Sequence, residues 1–285
     1  MKPAPFIRHV PRTVAEAVKI LGEVAPKDGR ILAGGQSLVP IMAFRLAKPA
    51  HLVDINEIEE LGRLACDGEV LRIGACVRHA AFHKPVVEGP LGVLLAHVAR
   101  HIAHYPIRLR GTFCGSLAHA DPASEWSLVA ATLDATMVAK SARGERLIAA
   151  KDYFRSIMTT ALAEDELLAE VRLPLLPDDA KFGFNEFSRR AGDFAMSAAL
   201  ATYRLEDCKI TQARVGVGGA EPCPRRIPQA EAALNGREPS DKVFRKAAEA
   251  AADAVEAMGD YQTTPDYRRD LVRAVVHRAL AMAAQ

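Results

Sequence analysis

The stretch Arg30-Ile31-Leu32-Ala33-Gly34-Gly35-Gln36-Ser37-Leu38 decides the first half of the fold. Its opening residues form a short apolar strand, and Leu38, Ile41, Met42 and Leu46 then return at helical spacing, so the paired glycines occupy a strand-to-helix turn. Two consecutive glycines let the backbone take positive φ and aim successive N–H groups at one anion, while the helix start behind them adds its dipole. A phosphate suits that place. The plainer reading is a tight turn with Ser37 as a cap, and the short motif alone leaves both open. It is not the G-x-G-x-x-G fingerprint, and Gly216-Val217-Gly218-Gly219 fails that pattern too, because Glu221 and Pro222 follow.

Working outward, Thr13 precedes Val14, Ala17, Val18 and Leu21, a helical stripe with Thr13 as its N-cap, and Leu52-Val53-Asp54-Ile55 reads as a strand on the far side. The unit is therefore strand, glycine turn, helix, strand. Asp67-Gly68 between apolar runs at 61–65 and 70–75 predicts a hairpin. Residues 91–104 have helical spacing, 111–117 read as an irregular glycine-containing segment, and Asp121-Pro122 opens a helix through 133 with Asp121 as cap. Strands are expected over 135–139, 145–148 and 167–173. Residues 174–179, with two prolines and two aspartates, are the best linker. Beyond them come strands at 182–188, 195–204 and 211–216, then helices at 242–258 and 267–284, the strands-then-helices order of an α+β domain.

A second glycine-bearing run, Gly111-Thr112-Phe113-Cys114-Gly115-Ser116-Leu117-Ala118-His119-Ala120-Asp121-Pro122-Ala123-Ser124-Glu125, also has the makings of a ligand loop. Small residues allow close backbone approach, the Thr112 and Ser116 hydroxyls donate to phosphate oxygens, and Asp121 or Glu125 accepts from ribose or ring donors. Two anion-friendly loops in one chain suggest a dinucleotide. His119 and Asp121 invite an acid–base reading, but no nucleophile completes it. His97, His101 and His104 recur at i, i+4 and i+7, yet one helix without carboxylates does not close a metal site. Cys114 reads as small filler, Arg108 and Arg110 as a solvated or phosphate-facing pair, and Phe184, Phe187 and Phe194 as core before ring-stacking residues.

Composition excludes several classes. The chain has 285 residues, enough to bury about three-quarters of its unfolded surface. Its 37 basic and 35 acidic side chains leave a net charge of +2, too little for the basic field that nucleic acid or an anionic membrane demands. Five cysteines, Cys66, Cys76, Cys114, Cys208 and Cys223, are scattered with no C-x-x-C pair, so no local ligand set exists for an iron–sulfur cluster or structural zinc. Their odd number and sparse use suit a reducing cytoplasm. No apolar run has the length of a signal core or a membrane span.

In combination, Ala33-Gly34-Gly35-Gln36-Ser37-Leu38 with Val53-Asp54-Ile55, then Arg110-Gly111-Thr112-x-x-Gly115-Ser116-Leu117-Ala118-His119-Ala120-Asp121-Pro122-Ala123, then Phe187-Ser188-Arg189-Arg190-x-Gly192-Asp193-Phe194-Ala195, closely resemble the FAD-binding medium subunit of the molybdenum hydroxylases, the carbon monoxide dehydrogenase and xanthine dehydrogenase family. The resemblance spans nearly the whole chain and includes Gly218-Gly219 before Pro222 and the terminal Tyr267-Arg268-Arg269 segment. It implies an α+β fold: a vanillyl-alcohol-oxidase (PCMH)-type FAD-binding domain over 1–175, in two α+β lobes of about 1–56 and 57–175, followed by a C-terminal α+β domain over 180–285. It implies FAD as cofactor, held by Leu32, Ala33, Gly34, Gly35, Gln36, Ser37 and Leu38 and by Thr112, Phe113, Cys114, Gly115 and Ser116. His119, Asp121 and Glu125 extend the second loop, the last toward adenosine. Ile102 and Ala169 match cofactor-lining positions, and Asp193 and Phe194 a segment near the flavin ring. The family usually reads Thr-x-Gly-Gly-Ser; here Cys114 replaces the first glycine, which at positive φ costs about 1 kcal/mol or more.

The implied activity is electron transfer from iron–sulfur clusters on a partner through FAD to an external acceptor, without a catalytic residue or metal on this chain. The implied partners are a molybdopterin-binding large subunit and a 2Fe-2S small subunit, in a heterotrimer or a dimer of heterotrimers. The residues themselves also admit a stand-alone FAD-dependent oxidase, which wants a base near the ring, and a non-redox nucleotide-binding module.

Overall fold

The computed structural model describes residues 2–285. Strand β1 (Ile7–His9) leads to helix α1 (Val14–Val24), whose start is fixed by Thr13: its hydroxyl accepts from the Glu16 amide at 3.1 Å. Ala17, Val18, Leu21 and Val24 are the buried stripe expected from their spacing. Strand β2 (Gly29–Leu32), helix α2 (Leu38–Ala43) and strand β3 (His51–Asp54) complete a parallel three-stranded sheet in the order β1-β3-β2. This is the first lobe.

The second lobe is an antiparallel sheet of β4 (Leu64–Asp67), β5 (Val70–Gly74), β6 (Thr136–Ser141), β7 (Gly144–Ala149) and β10 (Leu167–Pro174), in the order β4-β5-β10-β6-β7. The intervening helices are α3 (Pro90–Ala99), α4 (Tyr105–Arg108), α5 (Phe113–His119), α6 (Glu125–Thr132) and α7 (Ala150–Tyr153), with a small hairpin of β8 (Phe154–Ser156) and β9 (Thr159–Thr160). Its centre is aromatic: Phe82, Phe113 and Trp126 are fully buried, with ring centroids 4.8–5.7 Å apart.

The last part begins with an antiparallel meander, β11 (Lys181–Phe187), β12 (Ser197–Glu206), β13 (Lys209–Gly218) and β14 (Arg225–Arg226). Helices α8 (Pro228–Leu234), α9 (Asp241–Ala254) and α10 (Pro265–Ala283) follow, their buried alanines forming a core with Tyr203, Val215 and Ile210. The strands-then-helices order is thus present. Helix α6 lies between this sheet and the second lobe: the Gly219 amide donates to the Pro122 carbonyl at 2.7 Å, and Arg226 joins Asp134 at 2.8 Å to Glu231 at 2.8 Å.

Several expected boundaries move. The helix over 91–104 stops at Ala99, where the Arg100 and His101 amides bond three residues back to His97 and Val98; Ala103 then takes φ +41 and Tyr105–Arg108 forms a separate turn. Residues 111–117 are not irregular; Thr112 caps α5 by accepting from the Gly115 amide at 3.0 Å. Asp121 does not cap α6. It accepts from the Ala123 amide in a turn at 2.9 Å, and Ser124 is the cap. The hairpin turn falls one residue later than expected, at Gly68–Glu69, with Asp67 paired to Val70. Helix α8, with Ile227, Ala230 and Leu234 buried at helical spacing, and the β8–β9 hairpin lie outside the expected elements.

Candidate cofactor site

The β2–α2 turn and the segment leading into α5 face each other across a groove of about 540 Å³, walled also by Met158, Thr160 and Leu162 from the hairpin side. This volume suits a small-molecule cofactor. Among the sequence-derived candidates, Leu32, Ala33, Gly34, Gly35, Gln36, Ser37, Leu38, Thr112, Gly115, Ser116 and His119 line it. Within the described residues, the amides of Gly34, Gly35, Gln36 and Ser37 donate to no protein acceptor. Unpaired backbone donors in succession at a turn with Gly35 at φ +71 form an anion cradle, and a Cβ on Gly34 would run into the Arg110 carbonyl and stand 2.7 Å from the Gly111 Cα. The two loops interlock, and only glycine fits.

A polar relay holds that arrangement. Asn56 Nδ2 donates to the Ala33 carbonyl at 2.8 Å and to Asp54 at 2.5 Å, and Asp54 is bound by Arg8 at 2.6 Å. Arg78 donates to Asn56 Oδ1 at 2.5 Å and to the Arg110 carbonyl. The carbonyls behind both loops are thereby tied to one chain of side chains. Burial pushes the Asp54 carboxyl up, but hydrogen bonds from Asn56 and Arg8 outweigh it and leave the group below its ordinary value.

His79 stands behind Gly111 and also lines the groove. It is buried, and Trp126 Nε1 donates to its Nδ1 at 2.9 Å. Burial, then Arg108 and Arg78, push its pKa down to about 4, so the ring is neutral with its proton on Nε2. No motif marks this histidine. Asn56 and Arg78 likewise belong to no motif, since each acts through a neighbour distant along the chain.

Other candidates sit elsewhere. Phe113 and Cys114 face the core; Cys114 is helical rather than at positive φ, and its thiol meets the Ile73 carbonyl at 3.4 Å. The extra side chain therefore points away from the groove. Ile102 and Ala169 are also buried in the core, and Asp121, Glu125, Asp193 and Phe194 lie outside the lining of the groove, Phe194 being 71% exposed. Burial, followed by the nearby Glu186, pushes Glu125 up to about 8. Of the three histidines, His97 and His101 stand together, ring centroids 5.2 Å apart and both against Phe184, with His101 3.3 Å from Glu186, whereas His104 packs on Gly192. Among the described residues no three side chains are grouped to hold a metal.

The donor set fits a diphosphate. The groove offers main-chain N–H groups, hydroxyls of Ser37 and Ser116 and a neutral imidazole, and Glu166, its buried carboxylate, is neutralised by Arg146 at 2.6 Å. Residues 4–176 match the FAD binding domain in molybdopterin dehydrogenase, and residues 182–283 the CO dehydrogenase flavoprotein C-terminal domain. The chain is an FAD-binding medium subunit of the molybdenum hydroxylase family. This medium subunit is 38% identical to the nicotine 6-hydroxylase medium subunit of Paenarthrobacter nicotinovorans, over 98% of each chain. It is 36% identical to caffeine dehydrogenase subunit beta of Pseudomonas sp. strain CBB1, covering 100% of this chain and 96% of the relative. It superposes with a TM-score of 0.95 on a chain of the carbon monoxide dehydrogenase of Hydrogenophaga pseudoflava, at 33% identity, over 100% of this chain and 99% of that one. The medium subunit thus has the two-part FAD-subunit fold of a multi-subunit oxidoreductase. No helix of its described residues is long and apolar enough to cross a membrane.

Proposed function

We propose that this subunit relays electrons from iron–sulfur clusters on a partner chain to an external acceptor, while a molybdopterin-bearing partner oxidises the substrate. Bound flavin supplies the capacity to exchange electrons one or two at a time. The chain's own residues bind and orient: the amides of Gly34, Gly35, Gln36 and Ser37 with the Thr112–Ser116 segment hold the diphosphate, and the Asn56–Arg78 relay keeps the two loops in register. Ile102, Asp121, Glu125, Ala169, Asp193 and Phe194, which do not line the groove, belong in this reading to the wider surroundings of the cofactor. The two parts are separate domains meeting at residues 174–179.

The observation that carries the proposal is the four unclaimed amides facing a second loop across a groove. Its relatives support the division of labour. Proteins named for nicotine, caffeine and carbon monoxide share this chain's length and fold, as expected where substrate choice resides on another chain. All five cysteines are free, which suits a cytoplasmic complex of a large molybdopterin subunit, a small 2Fe-2S subunit and this one. The test is affinity purification from the native host with analysis for flavin, iron and molybdenum. Co-purification of all three is expected; a chain that takes up no FAD on reconstitution overturns the proposal. Substrate-dependent flavin reduction by the isolated chain would favour the stand-alone oxidase.

A further inference from the structure

We infer that His79 is a cofactor-binding residue, whose Nε2–H donates to a phosphate oxygen of the FAD diphosphate beside the cradle at residues 34–37. This assignment rests on the reading above that the groove holds the diphosphate.

The tautomer is fixed from behind. An indole N–H can only donate, so Trp126 Nε1, 2.9 Å from Nδ1, requires a lone pair on that nitrogen and leaves the imidazole proton on Nε2. A second proton, on Nδ1, would set two N–H groups against each other. Trp126 is itself fully buried against Phe82 and Phe113, so the bond that selects the tautomer also holds the ring in place.

Nε2 is the end left free. Among the described residues it bonds to no protein atom, yet it is not shut off from solvent: His79 is 4% exposed and lines the groove. Gly111 keeps it uncovered. That glycine does not take positive φ, so no turn demands it, and a Cβ there would stand 2.5 Å from Nε2 and cover the donor. The same residue meets the cradle, since a Cβ on Gly34 would lie 2.7 Å from the Gly111 Cα. Nε2, Gly111 and the first glycine of the cradle thus follow one another in contact, which puts the donor at the diphosphate rather than at either end of the dinucleotide. A neutral N–H donating to an anionic oxygen makes a charge-assisted bond, stronger than one between neutral groups.

The test titrates the full chain, stripped of flavin, with FAD and with ADP, which carries the diphosphate without the flavin ring. An asparagine amide reaches as far as Nδ1 and a glutamine amide as far as Nε2. His79→Asn therefore keeps the acceptor for Trp126 and loses the groove donor, whereas His79→Gln restores the donor. His79→Asn should raise the Kd for both ligands about tenfold or more, and His79→Gln should recover most of that loss. In the wild-type chain labelled for nitrogen NMR, which needs no substitution to fold, the His79 Nε2–H resonance should shift when ADP is added. His79→Asn binding both ligands as tightly as wild type overturns the assignment. So does a loss for FAD that ADP does not share, a His79→Gln variant no tighter than His79→Asn, or an Nε2–H resonance that ADP leaves unmoved. If Gly34→Ala binds ADP as wild type does, it is the diphosphate reading of the groove that falls.

Discussion

Trp126 Nε1 donates to Nδ1 of His79 at 2.9 Å, so the indole of the aromatic core sets which nitrogen of a groove-lining histidine keeps its proton. Replacing Trp126 by Phe leaves that buried nitrogen without a donor, at a cost of about 1–3 kcal/mol. Denaturant unfolding of Trp126→Phe against wild type measures it.

The same histidine makes stability depend on acid. Its folded pKa of about 4 lies below the ordinary 6.5, so the unfolded chain binds the extra proton between these values. The contribution is complete above pH 6.5 and is lost as pH falls toward 4, in total about 3 kcal/mol. His79→Asn retains an acceptor for Trp126 without titrating. Its unfolding free energy should fall less steeply over pH 6.5 to 4 than that of wild type, and parallel profiles would refute the assignment.

Glu125 works in the opposite direction. Burial and then Glu186 hold its folded pKa at about 8 against an ordinary 4.5, so the folded chain binds the extra proton. Its contribution is full below pH 4.5 and is lost as pH rises through 8. Glu125→Gln should therefore gain on wild type progressively from pH 5 to 9 in thermal unfolding.

The interlocked loops predict a contrast among glycines. Gly34→Ala forces a Cβ into the Arg110 carbonyl and should abolish FAD retention, whereas Gly22→Ala, on α1 with nothing within 4 Å, should raise stability by about 0.5–1 kcal/mol. Flavin content after gel filtration, together with melting temperature, separates the two. Asn56→Ala cuts the relay rather than the cradle and should weaken FAD binding by about 1–3 kcal/mol in a titration.

Cys114 should behave as core. Burial pushes its thiol well above the ordinary range, so thiol reagents should label the exposed Cys66 and Cys208 in the native protein and spare Cys114. Cys114→Gly should lower stability by about 1–2 kcal/mol, from the lost packing and the added helix flexibility, while flavin binding stays unchanged.

What could be read from the residues was whatever is local. The Gly34-Gly35 turn and the Thr13 cap are set by neighbours in sequence, and both are present; the strands β11 to β13 are present too, but buried in continuous runs rather than in the alternation expected over 182–188. Cys114 shows where a family pattern misleads: a glycine-to-cysteine change suggested strain against the cofactor, but position 114 is helical and its side chain points inward. His79, Asn56 and Arg78 gave no signal because their partners lie 47, 23 and 32 residues away. The helix expected over 91–104 ends early because the chain tightens at Arg100 and His101 and turns left-handed at Ala103, backbone changes that no apolar period can announce.

The cradle at residues 34–37 is made of main chain. Most of its grip on the phosphates is thus written in shape rather than in side-chain chemistry, and it survives any substitution that preserves the turn. Screening by salt should barely loosen it, since the one arginine among the described residues that lines the groove, Arg30, is already paired with Asp28 at 3.4 Å. A lineage can therefore recolour nearly the whole surface of this subunit, trading one partner or acceptor for another, and still inherit the same hold on its cofactor.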